Sequence, residues 1–145
     1  MPGMIKPRLR HISKTIRCKI WLSPLVYQQS IRRLNHLNYP QLANTIPIEF
    51  GKQFISFVTG EHNDQRISLK YHFSEERGEV YAEVKFGKLA QGPPGHAHGG
   101  AISAVFDELM GACCWVNGYP AMTAQYTTRF FKPLPLEKAV LYCAK

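Results

Sequence analysis

The first 48 residues contain no aspartate or glutamate, yet they carry eight Lys/Arg: Lys6, Arg8, Arg10, Lys14, Arg17, Lys19, Arg32 and Arg33. Residues 49–145 hold ten basic and ten acidic side chains, which cancel. The formal charge of +8 therefore belongs to the N-terminal third, and the body lacks the basic excess of a nucleic-acid-binding surface. Ser, Arg and Lys without acids, and with scattered apolar residues, fit a mitochondrial transit peptide. The continuous apolar core of a secretory signal is missing. A solvated tail on a cytoplasmic protein, upstream sequence from an early start codon, or a nucleic-acid-binding arm has the same composition.

Long uncharged apolar runs are also missing. The longest uncharged stretch, residues 109–128, contains two Gly, a Pro, an Asn, a Gln and three Thr, so no integral membrane segment is expected there. Cysteines are few, and Cys18, Cys113, Cys114 and Cys143 have no paired spacing. That excludes a disulfide framework or a zinc knuckle and leaves reduced thiols. There is no internal repeat. Apolar residues are not scarce: 45% of the chain is hydrophobic and 12% aromatic, enough for one packed core.

The chain divides into a basic leader or tail over residues 1–48, a connecting segment over 49–65, and a domain from 66 to 145. In the leader, Ser23-Pro24 has the form of an N-cap and first helical residue, with Leu25, Val26, Ile31 and Leu34 on one face until Asn38-Tyr39-Pro40. Residues 46–50 and 54–58 fit short strands or an interrupted helical turn. From Ile67, the alternation of Ile67, Leu69, Tyr71 and Phe73 with polar neighbours predicts a half-buried strand. Val80, Ala82, Val84 and Phe86 alternate in the same way after the turn at residues 75–78, so the two runs form a hairpin. Residues 87–95 form a Gly/Pro loop. Residues 101–115 are apolar nearly all round, which predicts an enclosed helix. Residues 122–131, rich in Thr and aromatics, predict another strand, ended by Lys132-Pro133-Leu134-Pro135. Residues 139–143 begin a last one. Antiparallel strands with one apolar helix define an α+β class, a sheet wrapped on that helix.

The chemistry concentrates at residues 92–100, Gly-Pro-Pro-Gly-His-Ala-His-Gly-Gly, which lead into the helix. A glycine-rich helix entry leaves backbone N–H groups approachable at the positive end of the helix dipole, where an oxygen gaining negative charge is stabilised. Simple turn geometry accounts for the same glycines. Asp107 falls within the apolar helix, where burial would lift its pKa above about 3.9 and suit it to act as a base or nucleophile. The alternative is that Asp107 or its neighbour Glu108 faces solvent, because their directions differ by about 100°. Ser103, Asp107 and Gly111 lie on one line of the helix. Gly99 and Asp107 are about 12 Å apart along its axis, so one small carbonyl reaches both only if two chains contribute. A symmetric dimer with antiparallel helices meets that condition. His96 and His98 lack the further ligands of a metal site, so no metal is expected.

His98-Gly99-Gly100-Ala101-Ile102, followed by Asp107, resembles the PaaI-type hotdog-fold acyl-CoA thioesterases. Met122-Thr123-Ala124 and the run from Phe131 to Leu136 look like the next strand of that family. The resemblance covers about residues 64–145. It implies a hotdog fold, no cofactor, and hydrolysis of acyl-CoA thioesters to a carboxylic acid and coenzyme A. It further implies that the Gly99 amide polarises the thioester carbonyl. Asp107 of a second subunit activates water or attacks, Thr123 places the water or the Asp, and His98 orients the loop. Gly100 lies in the binding loop, while Arg129 and Lys132 are candidates for the coenzyme A phosphates. A homodimer or homotetramer follows, with no nucleic-acid partner. The family's sheet continues with further long strands after the Lys-Pro-Leu-Pro segment, whereas this sequence ends at Lys145. The resemblance therefore implies a sheet incomplete at its C-terminal side, and a non-catalytic acyl-CoA-binding or dimerisation module is the alternative.

Overall fold

The computed structural model describes residues 18–21, 39–49, 56–58 and 65–145. Five strands and one α-helix follow in chain order: β1 (Cys18–Trp21), β2 (Ile46–Ile48), β3 (Ile67–Ser74), β4 (Glu79–Phe86), α1 (Gly99–Val116) and β5 (Ala139–Ala144). The strands form one antiparallel sheet in the order β1-β5-β4-β3-β2. This is the α+β hotdog arrangement expected, a sheet with one long helix against it.

The hairpin follows from its alternation. Ile67 pairs with Phe86, Leu69 with Val84, Tyr71 with Ala82 and Phe73 with Val80, so the apolar members share one face. Val140, Tyr142 and Ala144 of β5 continue that face beside Val84, Ala82 and Val80. Against it α1 packs Ile102, Val105, Leu109, Ala112 and Cys113, all buried. Phe106 packs on Tyr142 with the rings tilted by 58° and their centroids 4.9 Å apart, which ties the helix to the middle of β5. By length and composition α1 also meets the requirement for crossing a membrane, with a mean hydropathy of 1.2. Its buried stripe is what a helix covering a sheet needs as well.

Both ends of α1 are tied down. At its C-terminus Asn117 donates Nδ2–H to Gly78 O (3.0 Å) and to Cys113 O (2.8 Å), joining the helix to the β3–β4 turn. Gly78 has φ +62°, a left-handed conformation that its missing Cβ allows. At its N-terminus the helix begins two residues earlier than the apolar pattern marks, at Gly99.

Three expectations need correction. Residues 122–131 form no strand; they run from α1 toward β5 without ladder bonds and are exposed except at Thr128. Their composition suits a strand, but a strand also needs a neighbouring edge, and among the described residues none lies beside them. Next, the sheet does not begin at residue 66. Cys18–Trp21 pairs with β5 and Ile46–Ile48 with β3, so stretches within the basic first 48 residues supply both edge strands. Between them, Tyr39 and Leu42 cover a second small core on the sheet's other face, formed by Tyr81, Leu141 and Cys143. Finally, of the two readings of residues 54–58, the strand is not met at the described residues 56–58, which include a turn. The helix expected from Ser23-Pro24 lies outside the described residues.

Candidate functional site at the start of the helix

The loop before α1 is held by a closed set of backbone bonds. Gly92 N–H donates to His96 O (2.9 Å) and His96 N–H to Pro93 O (2.9 Å). Ala97 N–H donates to Leu134 O (2.8 Å), and Leu136 N–H to Gly95 O (3.1 Å). The Lys-Pro-Leu-Pro segment thus lies against the loop as a bridge, with Leu134 buried and Leu136 packed on the core. His98 N–H donates to Ala90 O (2.8 Å), which fixes the residue before the helix. Gly92 is needed for this closeness. A Cβ there would lie 2.8 Å from the His98 Cα.

His98 is the N-cap of α1. Its Nδ1 accepts the N–H of Gly100 at 2.9 Å, so that nitrogen carries no proton while the cap is made. A Cβ on Gly100 would approach the same Nδ1 to 3.0 Å, so Gly100 serves the cap by being small. With the Gly100 amide engaged, the N–H groups of Gly99 and Ala101 are those of the first turn for which α-helical geometry supplies no partner, and Gly99 stands first at the entry. His96 turns elsewhere: its Nδ1 lies 2.9 Å from Pro94 O, which as a carbonyl can only accept. Among the described residues no group of three His, Cys, Asp or Glu is placed to hold a metal ion.

Asp107 is exposed, so the burial expected for it is not met within one chain. The more enclosed carboxylate is its neighbour. Glu108 is half-buried and accepts the Tyr71 hydroxyl at 3.4 Å, a long hydrogen bond. Burial, and then the Glu108 charge, push the Tyr71 phenol well above its ordinary value, so it remains a donor to Glu108. Sequence spacing showed that the two acids point apart. In the folded chain the buried stripe Ile102, Val105, Leu109, Ala112 and Cys113 faces the sheet, which turns Asp107 out and leaves Glu108 beside Tyr71.

The segment after α1 returns along the first turns of the helix. Tyr126 donates its hydroxyl to Ser103 O at 3.3 Å. Four residues on, the Phe130 ring lies 3.6 Å from where a Cβ of Gly99 would be. Phe130 is therefore beside the glycine amide, a neighbour that the sequence motifs did not mark. Thr123, Arg129 and Lys132 are exposed. The Arg129 guanidinium lies 5.9 Å from the centroid of the Phe131 ring. The structure thus joins His98, Gly99 and Gly100 in one junction, while Asp107 stands about 12 Å along the helix from Gly99.

A sheet with one helix, entered through a glycine-rich capped loop, is the architecture of a known class. Residues 94–145 match the family model of the thioesterase superfamily. Among curated proteins it is similar to acyl-coenzyme A thioesterase THEM4 of Mus musculus, 43% identical over 51 residues, 35% of this chain and 22% of the relative. It is also similar to acyl-coenzyme A thioesterase THEM4 of Rattus norvegicus, 41% identical over 74 residues, 51% of this chain and 31% of the relative. The chain thus spans less than a third of the length of these relatives.

Proposed function

We propose that this chain hydrolyses acyl-CoA thioesters at a site shared by two copies. The observation that supports this best is the junction at Gly99: a capped helix entry whose second amide is taken by His98 and whose first amide remains to be used. In this mechanism the Gly99 N–H donates to the thioester carbonyl oxygen and stabilises the negative charge it gains. Asp107 of a second copy takes a proton from water as the water oxygen bonds to the carbonyl carbon; direct attack by the carboxylate is the variant route. The tetrahedral intermediate expels coenzyme A as the C–S bond breaks, and the thiolate takes up a proton. Thr123 helps to position the water or Asp107. Gly100 and His98 hold the loop in shape, and Arg129 and Lys132 meet the phosphates of coenzyme A.

What supports two copies is the distance from Gly99 to Asp107 together with the exposure of Asp107 on the line Ser103–Asp107–Gly111. A homodimer or homotetramer would bring one copy's Asp107 to the other's Gly99 and bury it there. The acid-free first 48 residues support delivery to mitochondria, which fractionation of cells expressing the tagged chain tests.

The test of function is thiol release from acyl-CoA of graded chain length. Asp107→Asn is expected to lower kcat by about 10²–10⁴-fold, the usual worth of a positioned general base. Hydrolysis at the parent rate by a folded Asp107→Asn protein would remove Asp107 from the mechanism. The solvent exposure of Asp107 in one chain favours a second reading, a non-catalytic acyl-CoA-binding or dimerisation module. Calorimetry on the same sample distinguishes it, through tight binding of acyl-CoA without turnover.

A further inference from the structure

We propose that Phe130 is the residue that sets which acyl groups are accepted, by walling the carbonyl site at Gly99 on the side of the acyl α-carbon. This rests on the reading of Gly99 as the amide that receives the thioester carbonyl.

The ring's position is unusual for a phenylalanine. It is 54% exposed and takes no part in either buried cluster, so the core does not account for it. Its contact is with the helix entry: Cζ and Cε2 lie 3.6 and 3.8 Å from the site of a Gly99 Cβ. In a helix the Cα–Cβ direction tilts toward the N-terminus, so the ring stands beside the first turn on the side from which a ligand reaches the amide. Tyr126 keeps the approaching segment in place through its bond to Ser103 O (3.3 Å). Residues four apart on an extended chain share a side, so Tyr126 and Phe130 both face the helix. The alternate pair, Arg129 and Phe131, meet each other.

A donor amide with a phenyl ring next to it is a poor seat for a phosphate, which needs polar contacts all round. It suits a neutral carbonyl carrying an apolar substituent. With the carbonyl oxygen on Gly99 N–H, the first acyl carbon lies within reach of the ring. A methylene fits beside a flat ring, whereas a second branch on that carbon meets it. The wall therefore favours straight acyl chains over α-branched ones.

The experiment compares kcat/KM for butyryl-CoA and isobutyryl-CoA in the full chain and its variants. Phe130→Ala is expected to raise the isobutyryl-to-butyryl ratio by about ten-fold, the scale on which one carbon is discriminated in an apolar pocket. Phe130→Leu is expected to fall between, and Phe130→Trp to lower the ratio. The last two keep a large apolar side chain there if the alanine protein does not fold. Phe57→Ala, altering a ring that is 91% exposed and not part of the site described, is expected to leave the ratio unchanged. A ratio within two-fold of the parent across all three Phe130 variants, with butyryl-CoA still hydrolysed, overturns the role of Phe130 and leaves the thioesterase reading intact. No turnover of either substrate by the parent chain overturns both.

Discussion

The loop before the helix and the segment after it are both irregular, but they meet opposite fates. Residues 91–98 satisfy their backbone within the chain, through bonds to Ala90, Leu134 and one another. Residues 119–131 touch the helix at Tyr126 and Phe130, yet they leave Tyr119, Met122, Tyr126, Phe130 and Phe131 at 40% exposure or more. The first region is complete in one copy. The second has strand composition and apolar side chains without a strand's neighbour among the described residues, and it is where the proposed second copy would dock. In the proposed shared site, the first region would be the finished side and the second the side that another copy completes.

Breaking the finished side should have the largest effect on stability. Gly92→Ala places a Cβ 2.8 Å from the His98 Cα, a backbone atom that cannot rotate away. Overpacking of this kind costs about 1–3 kcal/mol. The urea midpoint is expected to drop accordingly, with loss of hydrolysis even where the fold survives. An unchanged midpoint would mean that the loop yields freely and is not the fixed wall described.

Next comes the cap. His98→Ala removes the acceptor of the Gly100 amide and is expected to cost about 1 kcal/mol, within the range for lost N-caps. His98→Asn or His98→Asp should recover most of this, because either side chain can accept the same N–H. If the capping variants recover stability but not kcat, His98 acts on the substrate as well as on the helix. If they recover both, its work is the cap.

How far these features could be read in advance follows from length and packing. The hairpin was legible because eight-residue strands show their alternation plainly, and the helix because an apolar stripe of 3.6 period cannot be a strand. β1 was not, and β2 was legible only as one of two readings of residues 46–50, since four and three residues are too few for a period-two signal to stand out. Residues 122–131 misled for the opposite reason: composition records what a segment is able to pair with, and pairing needs an edge. At the site, the glycines and His98 were legible as a motif. The exposure of Asp107 was not, because a helix apolar nearly all round does not show which of its sides faces the sheet; in the fold the buried stripe does, and it puts Glu108 beside Tyr71. Phe130 was invisible for a related reason, since only folding brings it beside Gly99.

Gly111 sharpens the contrast from the helix side. It stands mid-helix with nothing within 4 Å of a would-be Cβ, so one chain gives it no packing reason to be glycine. Gly111→Ala should raise stability by about 0.5–1 kcal/mol through helix propensity alone. If a second helix packs on the Ser103–Asp107–Gly111 line, the same change should weaken association in sedimentation. A more stable chain that assembles as well as the parent would move the interface away from this line.

The smallest effect on stability belongs to the open side. Met122 and Phe131 are 95% and 82% exposed, so Met122→Ser and Phe131→Ser remove little apolar burial within one chain. Their urea midpoints should shift by no more than about 0.5 kcal/mol, as for other surface changes. The same side chains are the apolar area a second copy would cover, so the double variant should dissociate at concentrations where the parent is assembled. Stability and association are then uncoupled in the segment after the helix, where single-chain contacts are few. In the loop before it the two should fall together, because damage there unseats the amide, the cap and the bridge to Leu134 at once. A double variant that lost stability as steeply as Gly92→Ala would show that residues 119–131 are already packed within one chain, and the asymmetry between the two regions would disappear.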